Sequence, residues 1–424
     1  MIGIALISFA ILLFLGMPIA FTMGVASMFA LLSNPSLPGL VLAQRVFTTV
    51  DSFSLMAIPF FMLAGHLMNE AGITKVLVDF SRTVVGHIKG GLAQTVVLAG
   101  MLMAGISGSA NASASGIGAL MVPALREDGY KAGFTVSLVA AAAALGPIIP
   151  PSIMMIIYAS ITNISVARLF LAGFVPGVMA GVGFMVVSYF HAKRHGHPSS
   201  RRSSIREIWV AFRKAIWALI MPLIIIGGII GGIFTATEAG VVAVVYGLCY
   251  GLVLKKYTLK KLEQVFLTSV VSTVVPMLVI AFAAMVSYIL ARENLPRVTL
   301  MLLQSASDSP TVIMLIVIAL LFLVGMFLDP TAAMLMLVPV LTPLIGTFGY
   351  DELHFAMIIV MALVLGGITP PVGLLLYIVA SVDGTPLEKA FGSIWPFIGV
   401  VLVVVVTMFF VPGIATWIPG LFGM

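Results

Sequence analysis

Shifting this chain by 220 residues makes its least common features coincide. Gly105 falls on Gly325, Pro123 on Pro343, Gly129-Tyr130 on Gly349-Tyr350 and Gly146 on Gly366. Pro150-Pro151 then falls on Pro370-Pro371, and Pro176 on Pro396. Four proline coincidences compare with about 0.6 expected by chance from 23 prolines in 424 residues, so the chain holds two copies of one architecture. Any fold proposed for it must be one that can be built twice.

Composition fixes the solvent of that fold. Sixty-one per cent of residues are hydrophobic and 8% are charged, outside the range of soluble domains. Apolar stretches on the scale of a bilayer crossing recur throughout, among them Ala215 to Phe234, Ala239 to Leu254 and Ile394 to Val411. No alternating strand pattern of a barrel appears, so the class is an all-α polytopic membrane protein. In such a protein, Gly/Pro-interrupted apolar segments at matching positions of two halves point to a transporter and to its binding site. The first residues are apolar, with no basic region and no small-residue cleavage site, and are expected to be a retained helix. Cys249 is the single cysteine, excluding an internal disulfide, and inert packing is expected of it.

The net charge of +6 points to orientation in a membrane and not to nucleic acid. The longest polar stretch, His191 to Lys214, carries Lys193, Arg194, Arg201, Arg202, Arg206, Arg213 and Lys214. With this stretch in the cytoplasm, threading outward adds Lys75, Arg82, Lys89, Arg126, Lys131, Lys255, Lys256, Lys260, Lys261 and Lys389 to the same side. Only Arg45, Arg168, Arg292 and Arg297 fall outside, a strong positive-inside bias. The threading requires the halves to enter the membrane oppositely, as inverted-topology repeats, with both termini periplasmic.

Each half reads as the same order of parts. Half one opens with Ile2 to Leu15, breaks at Gly16-Met17-Pro18 and continues to Leu32. Half two opens with Ile216 to Ile230, breaks at Gly231-Gly232 and continues from Glu238 to Leu254. Weakly amphipathic stretches follow, Leu40 to Phe53 and Thr258 to Ser269, of a kind that lies along the interface. A spanning helix comes next, containing Pro59 or Pro276. Then Gly91 to Leu125 runs apolar, polar, apolar, with the middle Gly105-Ile-Ser-Gly-Ser-Ala-Asn-Ala-Ser-Ala-Ser-Gly116. Two half-helices of about 15 residues reach about 22 Å, short of a full crossing. A re-entrant helical hairpin fits, because irregular backbone at membrane depth must line a cavity or pack in protein. Ile313 to Ile345 is its counterpart, with the tip near Gly325 to Thr331. A broken helix follows each hairpin, at Gly146-Pro-Ile-Ile-Pro-Pro-Ser152 and at Gly366-Gly-Ile-Thr-Pro-Pro-Val372. Tandem prolines free several carbonyls, for which a cation is a natural partner at that depth. The expected organisation is scaffold in 1–88 and 216–309, transport domain in 89–190 and 310–424, and a cytoplasmic basic loop in 191–215.

These motifs together resemble the large membrane subunit (DctM type) of tripartite ATP-independent periplasmic (TRAP) transporters. The residues carrying the resemblance are Ala57-Ile-Pro-Phe-Phe-Met-Leu-Ala-Gly65 with Gly72-Ile73, and Gly231-Gly-Ile-Phe-Thr-Ala-Thr-Glu-Ala-Gly240. The tip Gly105-Ile-Ser-Gly-Ser109 and the two tandem-proline breaks belong to the same set, and the resemblance spans essentially the whole chain. It implies sodium-driven uptake of an organic acid across the bacterial inner membrane. It also implies a periplasmic substrate-binding protein, a small four-helix membrane partner (DctQ type) and an elevator-type motion.

The polar residues at the tips are the candidate ligands. Ser107, Ser109, Asn111, Ser113 and Ser115 cluster at the first tip, where hydroxyls, amide and freed carbonyls suit a hard cation and a polar substrate. The alternative is close helix packing through small residues. Asp329 is the only acid of the second tip, and an intramembrane carboxylate suggests function. Asp329-Pro330 is also a good helix start, and the two roles are compatible. Thr331 and Thr369 stand beside it as weaker candidates. The expected substrate contacts are Ser109, Asn111, Ser113, Asp329 and Thr331. The expected Na⁺ contacts, largely through backbone carbonyls, are Gly105, Ser107, Gly146, Pro150, Gly325, Asp329, Gly366 and Thr369. Thr235-Ala-Thr-Glu238 has capping-box spacing and is read as structural. His66, Glu70 and Asp51 are expected near helix ends, and Met101, Met103, Met334 and Met336 are read as packing.

Rival readings are a binding-protein-independent sodium/dicarboxylate symporter built on inverted repeats, a passive channel and an intramembrane enzyme. The sequence holds no His-Glu-x-x-His and no Gly-x-Ser-x-Gly, and the second tip has no serine to match the first.

Overall fold

The computed structural model describes residues 1–34 and 38–424, and every regular element among them is a helix. Half one holds α1 (Ile2–Phe14), α2 (Ile19–Leu32), α3 (Leu40–Val50), α4 (Ala57–Glu70), α5 (Ile73–Val85), α6 (Gly91–Ser107), α7 (Ala110–Glu127), α8 (Ala132–Ala143), α9 (Ile153–Thr162) and α10 (Val166–His195). Half two holds α11 (Ile205–Ile230), α12 (Ala236–Val253), α13 (Leu259–Arg292), α14 (Leu295–Ala306), α15 (Pro310–Phe327), α16 (Pro330–Leu341), α17 (Pro343–Phe348), α18 (Glu352–Gly367), α19 (Leu374–Ala380) and α20 (Leu387–Phe410). A terminal α21 (Gly413–Leu421) closes the chain. Among the described residues, α10, α11, α12, α13, α15 and α20 are long and apolar enough to cross a membrane.

The order of helices follows the sequence repeat, with informative departures. In half one, a break at Asp51 to Met56 separates α3 from α4. In half two, the expected interfacial stretch Thr258 to Ser269 is not separate: it runs on as the first part of α13. The reason lies in the residues. Asp51-Ser52-Phe53-Ser54 offers local side-chain acceptors that compete with the helix, whereas Val271-Ser272-Thr273-Val274 offers fewer. The basic linker is also narrower than 191–215, because α10 runs to His195 and α11 begins at Ile205. A capping box starts α11, with Ser204 Oγ accepting from the Glu207 amide at 3.2 Å and Glu207 accepting from the Ser204 amide at 2.7 Å.

The helices pack in two sets. In one, α2 and α4 lie against α13, α4 lies against α12, and α1, α3 and α11 complete the layer. Gly240, Ala243, Gly247 and Gly251 put the small face of α12 toward its neighbours, and Gly240 and Gly247 touch Ala57, Phe60, Leu67 and Met68 of α4. In the other set, α8 and α18 sit at the centre. Gly133 to Ala143 and Leu353 to Gly367 are buried without exception. A helix apolar on every side is stable only when surrounded, here by α6, α7, α10, α15, α16 and α20. Contact between the sets runs through α5 against α6 and α11, α4 against α6, and α13 against α16.

Both hairpins close their bases alike. Gly129 and Gly349 adopt φ of +83° and +66°, a left-handed conformation natural to glycine. The following amides then turn back, Tyr130 N to Leu125 O at 3.0 Å and Tyr350 N to Ile345 O at 3.1 Å. Glu70, at the end of α4, pairs with Lys261 at 2.7 Å, and Asp51 caps α3. His66 differs from expectation, lying within α4, where its Nε2 is 3.2 Å from Ser272 Oγ of α13. Cys249 is exposed on α12 and not packed inside. Met103 and Met334 are buried.

Candidate functional site: two helix tips on two helix breaks

The first hairpin turns far more tightly than its serine-rich sequence suggests. Helix α6 continues through Ser107 and α7 begins at Ala110, so the tip is Gly108-Ser109 alone. Ser109 is the N-cap of α7, with its Oγ accepting from the Ala112 amide at 3.4 Å. Helical phase then divides the polar residues. Ser113 is fully buried and shares a 2.9 Å hydrogen bond with Ser107 Oγ, which also reaches Ser109 O at 3.3 Å. Asn111 and Ser115 lie on the exposed face of α7, the Ser115 hydroxyl donating to Asn111 O at 3.0 Å. Ser107, Ser109 and Ser113 therefore come together, and Asn111 stands on a different face.

This tip rests on the first break. The Ile153 amide donates to Gly108 O at 3.2 Å, and Gly146 lies so close that an added Cβ would sit 2.9 Å from the Ser109 carbonyl carbon. Gly108 and Gly105 approach the Pro151 and Pro150 carbonyls, the latter at 3.7 Å from an added Cβ. The Pro150–Pro151 peptide is cis. Ser152 caps α9, accepting from the Met155 amide at 3.3 Å and donating to Pro147 O at 2.7 Å. Sequence reasoning quoted Ser152 without giving it a role, although a serine before an apolar run is a helix-start signal. Its duplicate is Val372, so half two lacks this cap. No donor reaches the carbonyls of Gly105, Gly146, Ile148, Ile149, Pro150 or Pro151 among the described residues. Gly65 of α4 packs against the Ser107 backbone and Gly105 against Pro222 of α11, bringing the other helix set to this tip.

The second tip repeats the design with different chemistry. Asp329 is the N-cap of α16, its Oδ1 accepting from the Thr331 amide at 2.9 Å and the Ala332 amide at 3.3 Å. The capping role read from Asp329-Pro330 is thus present, and Thr331 is held beside the carboxylate. Gly325 lies against the second break, where a Cβ on Gly366 would be 2.5 Å from the Gly325 Cα. Thr369 is fully buried, and its hydroxyl donates to Leu365 O at 2.6 Å. The Gly366 carbonyl receives the Thr369 amide at 2.9 Å, while Gly325, Ile368, Pro370 and Pro371 carbonyls have no donor among the described residues. Pro370–Pro371 is also cis. The return arm kinks at Thr342-Pro343 into α16 and α17, whereas Pro123 sits inside an unbroken α7.

The two sites interlock. Beyond its break, α9 packs on α16 of the second hairpin, and α19 packs on α7 of the first. The donor set converging at the tips is oxygen only, carbonyls and hydroxyls with the Asp329 carboxylate. Among the described residues no cluster of three or more His, Cys, Asp or Glu could hold a metal ion. Oxygen donors of low charge suit a hard monovalent cation. Glu238, in contrast, is occupied structurally, accepting from the Thr235 amide and hydroxyl, both at 2.8 Å.

A membrane-embedded pair of helical tips seated on helix breaks defines a membrane transport protein. Solved structures of similar fold include the YdaH transporter of Alcanivorax borkumensis (TM-score 0.55, 15% identity, 87% of this chain and 88% of that one). MtrF of Neisseria gonorrhoeae is another (TM-score 0.59, 12% identity, 88% and 84% covered). Residues 6–414 match the family described as tripartite ATP-independent periplasmic transporter, DctM component, and the chain belongs to that family. It is similar to the C4-dicarboxylate TRAP transporter large permease protein DctM of Pseudomonas aeruginosa, 37% identical with 90% of each chain covered. The sialic acid TRAP transporter large permease protein SiaM of Vibrio cholerae is 36% identical, with 97% and 96% covered. The 2,3-diketo-L-gulonate TRAP transporter large permease protein YiaN of Escherichia coli is 36% identical, with 94% of each covered. The protein is a multi-pass inner-membrane transporter permease and not an enzyme.

Proposed function

We propose that this chain is the large permease subunit of a sodium-coupled system importing an organic acid, delivered by a periplasmic binding protein and assembled with a small four-helix membrane subunit. The named substrates of the three relatives are all organic acids, which supports the substrate class. The observation that carries the ion reading is the duplicated seat of a capped helix N-terminus on a proline-broken helix, lined by carbonyl oxygens of which all but that of Gly366 have no donor among the described residues. Sodium is held at each seat, by carbonyls of Gly105, Gly146 and Pro150 with Ser107 at the first. Gly325 and Gly366 carbonyls, Thr369 and Asp329 hold it at the second. The substrate lies between the seats, its carboxylate facing the N-termini of α7 and α16, with Ser109, Asn111, Ser113 and Thr331 as polar contacts. Bound sodium offsets the Asp329 charge, so ion and substrate bind together.

Inversion of the halves is part of the proposal. Arg126, at the base of hairpin one, is 3.6 Å from Asp383 just past α19. Gly133 lies against the Lys389 carbonyl, and Ser137 Oγ donates to Ala390 O at 3.1 Å. The end of the second broken helix thus meets the base of the first hairpin, which supports halves of opposite orientation. The two packed sets support a moving unit of α6–α10 and α15–α21 on a scaffold of the remaining helices. Reconstitution tests the proposal: proteoliposomes holding both membrane subunits should accumulate a candidate organic acid only with an inward sodium gradient and its binding protein. Uptake of free substrate by this chain alone would contradict the tripartite part. Sodium-independent, non-saturable flux would contradict coupling.

A further inference from the structure

A groove of about 410 Å³ lies between α5 and α11, well away from the tips. It is lined by Val76, Phe80, Val210 and Ala211 with one hydroxyl, Thr83, and by the charged Asp79, Arg206, Glu207 and Lys214. Glu207 is already engaged by Arg201 and by the Ser204 cap. Asp79, Arg206 and Lys214 make no ion pair among the described residues, although they share one groove.

Its depth is marked by aromatic residues. Trp209 and Trp217 of α11 are each 59% exposed, and between them stand Arg213 and Lys214. Exposed tryptophans favour the headgroup layer of a bilayer, and α11 is almost wholly apolar from Ala215 onward. Lys214 therefore sits where hydrocarbon gives way to headgroups, on the side rich in Lys and Arg. A molecule reaching this groove from the membrane arrives head first, with its chains left beside Trp217.

We propose that the groove binds a phospholipid with a primary-amine headgroup, a phosphatidylethanolamine. The phosphate pairs with Lys214 and Arg206, and the ammonium donates to the Asp79 carboxylate. Complementarity argues for this occupant: the two unesterified oxygens of one phosphate take Lys214 and Arg206, and the ammonium takes Asp79. A trimethylammonium head has no N–H for Asp79, and a glycerol head brings no cation to balance it.

Native mass spectrometry of the full chain, delipidated and re-equilibrated in micelles with equal phosphatidylethanolamine, phosphatidylcholine and phosphatidylglycerol, tests this. Phosphatidylethanolamine adducts are expected to exceed phosphatidylcholine adducts about tenfold. Asp79→Asn, an exposed and nearly isosteric change, should bring the two to parity. Lys214→Gln should lower both, and Val210→Trp should empty the groove whatever the headgroup. Equal binding of the two lipids by the parent chain would overturn the proposal, as would a preference unchanged in Asp79→Asn. A phosphatidylglycerol excess would do the same, since it would mean that the groove reads negative charge alone.

Discussion

Individual side chains at the second tip carry two duties that substitution can separate. Asp329 satisfies two amides of α16 with one carboxylate oxygen, and its charge is not needed for that cap. Asparagine keeps a side-chain oxygen for the cap, so Asp329→Asn should fold with a thermal midpoint close to the parent's. It removes the charge, and sodium-driven uptake in proteoliposomes should fall about tenfold or more, the scale of one lost charge–ion contact. Unchanged sodium dependence would leave the residue a cap and nothing more. Thr235→Ala is the opposite case. It deletes a capping box remote from both tips and should cost about 1 kcal/mol in stability. Uptake per folded molecule should stay at the parent level, and a marked loss would mean that Thr235-Glu238 serves transport. Both caps were legible as sequence, because Asp-Pro and Thr-x-x-Glu each encode a local hydrogen bond.

At the scale of elements, glycines set how closely each tip meets its break. Gly366 faces Gly325 backbone at 2.5 Å from an added Cβ, and Gly146 faces Ser109 at 2.9 Å. Backbone cannot swing aside as a side chain can, so Gly366→Ala should destabilise by about 1–3 kcal/mol and displace the second tip, abolishing uptake. Gly146→Ala should do the same less severely. Gly399→Ala on α20, where nothing lies within 4 Å, should leave thermal stability and uptake unchanged. Equal behaviour of all three variants would show that the tips tolerate displacement. The hairpins and breaks could be read in advance because glycine and proline change the backbone directly. The tip's length could not: Ser, Ala and Asn are compatible with helix as well as turn, and the structure starts α7 at once with the Ser109 cap, seated against Gly146. The continuity of α13 was hidden for another reason. The repeat suggested a break there, while Val271 to Val274 has fewer polar residues than Asp51 to Ser54, and no aspartate.

For the whole molecule, duplication explains more than any single helix. Two halves of the same order each send the second segment of their broken helix to the other's hairpin, and under the function proposed above they build one site from two incomplete ones. The serines of one tip and the aspartate of the other give that site chemistry which neither half holds alone. The account needs the halves to be inverted, with the base of hairpin one in the cytoplasm and the base of hairpin two in the periplasm. Single cysteines at Asp128 and Ser309, in a Cys249→Ser background, report this with a membrane-impermeant maleimide on spheroplasts. The account predicts that Ser309→Cys labels in intact spheroplasts and that Asp128→Cys labels only after permeabilisation; labelling of both positions from the same side would contradict it.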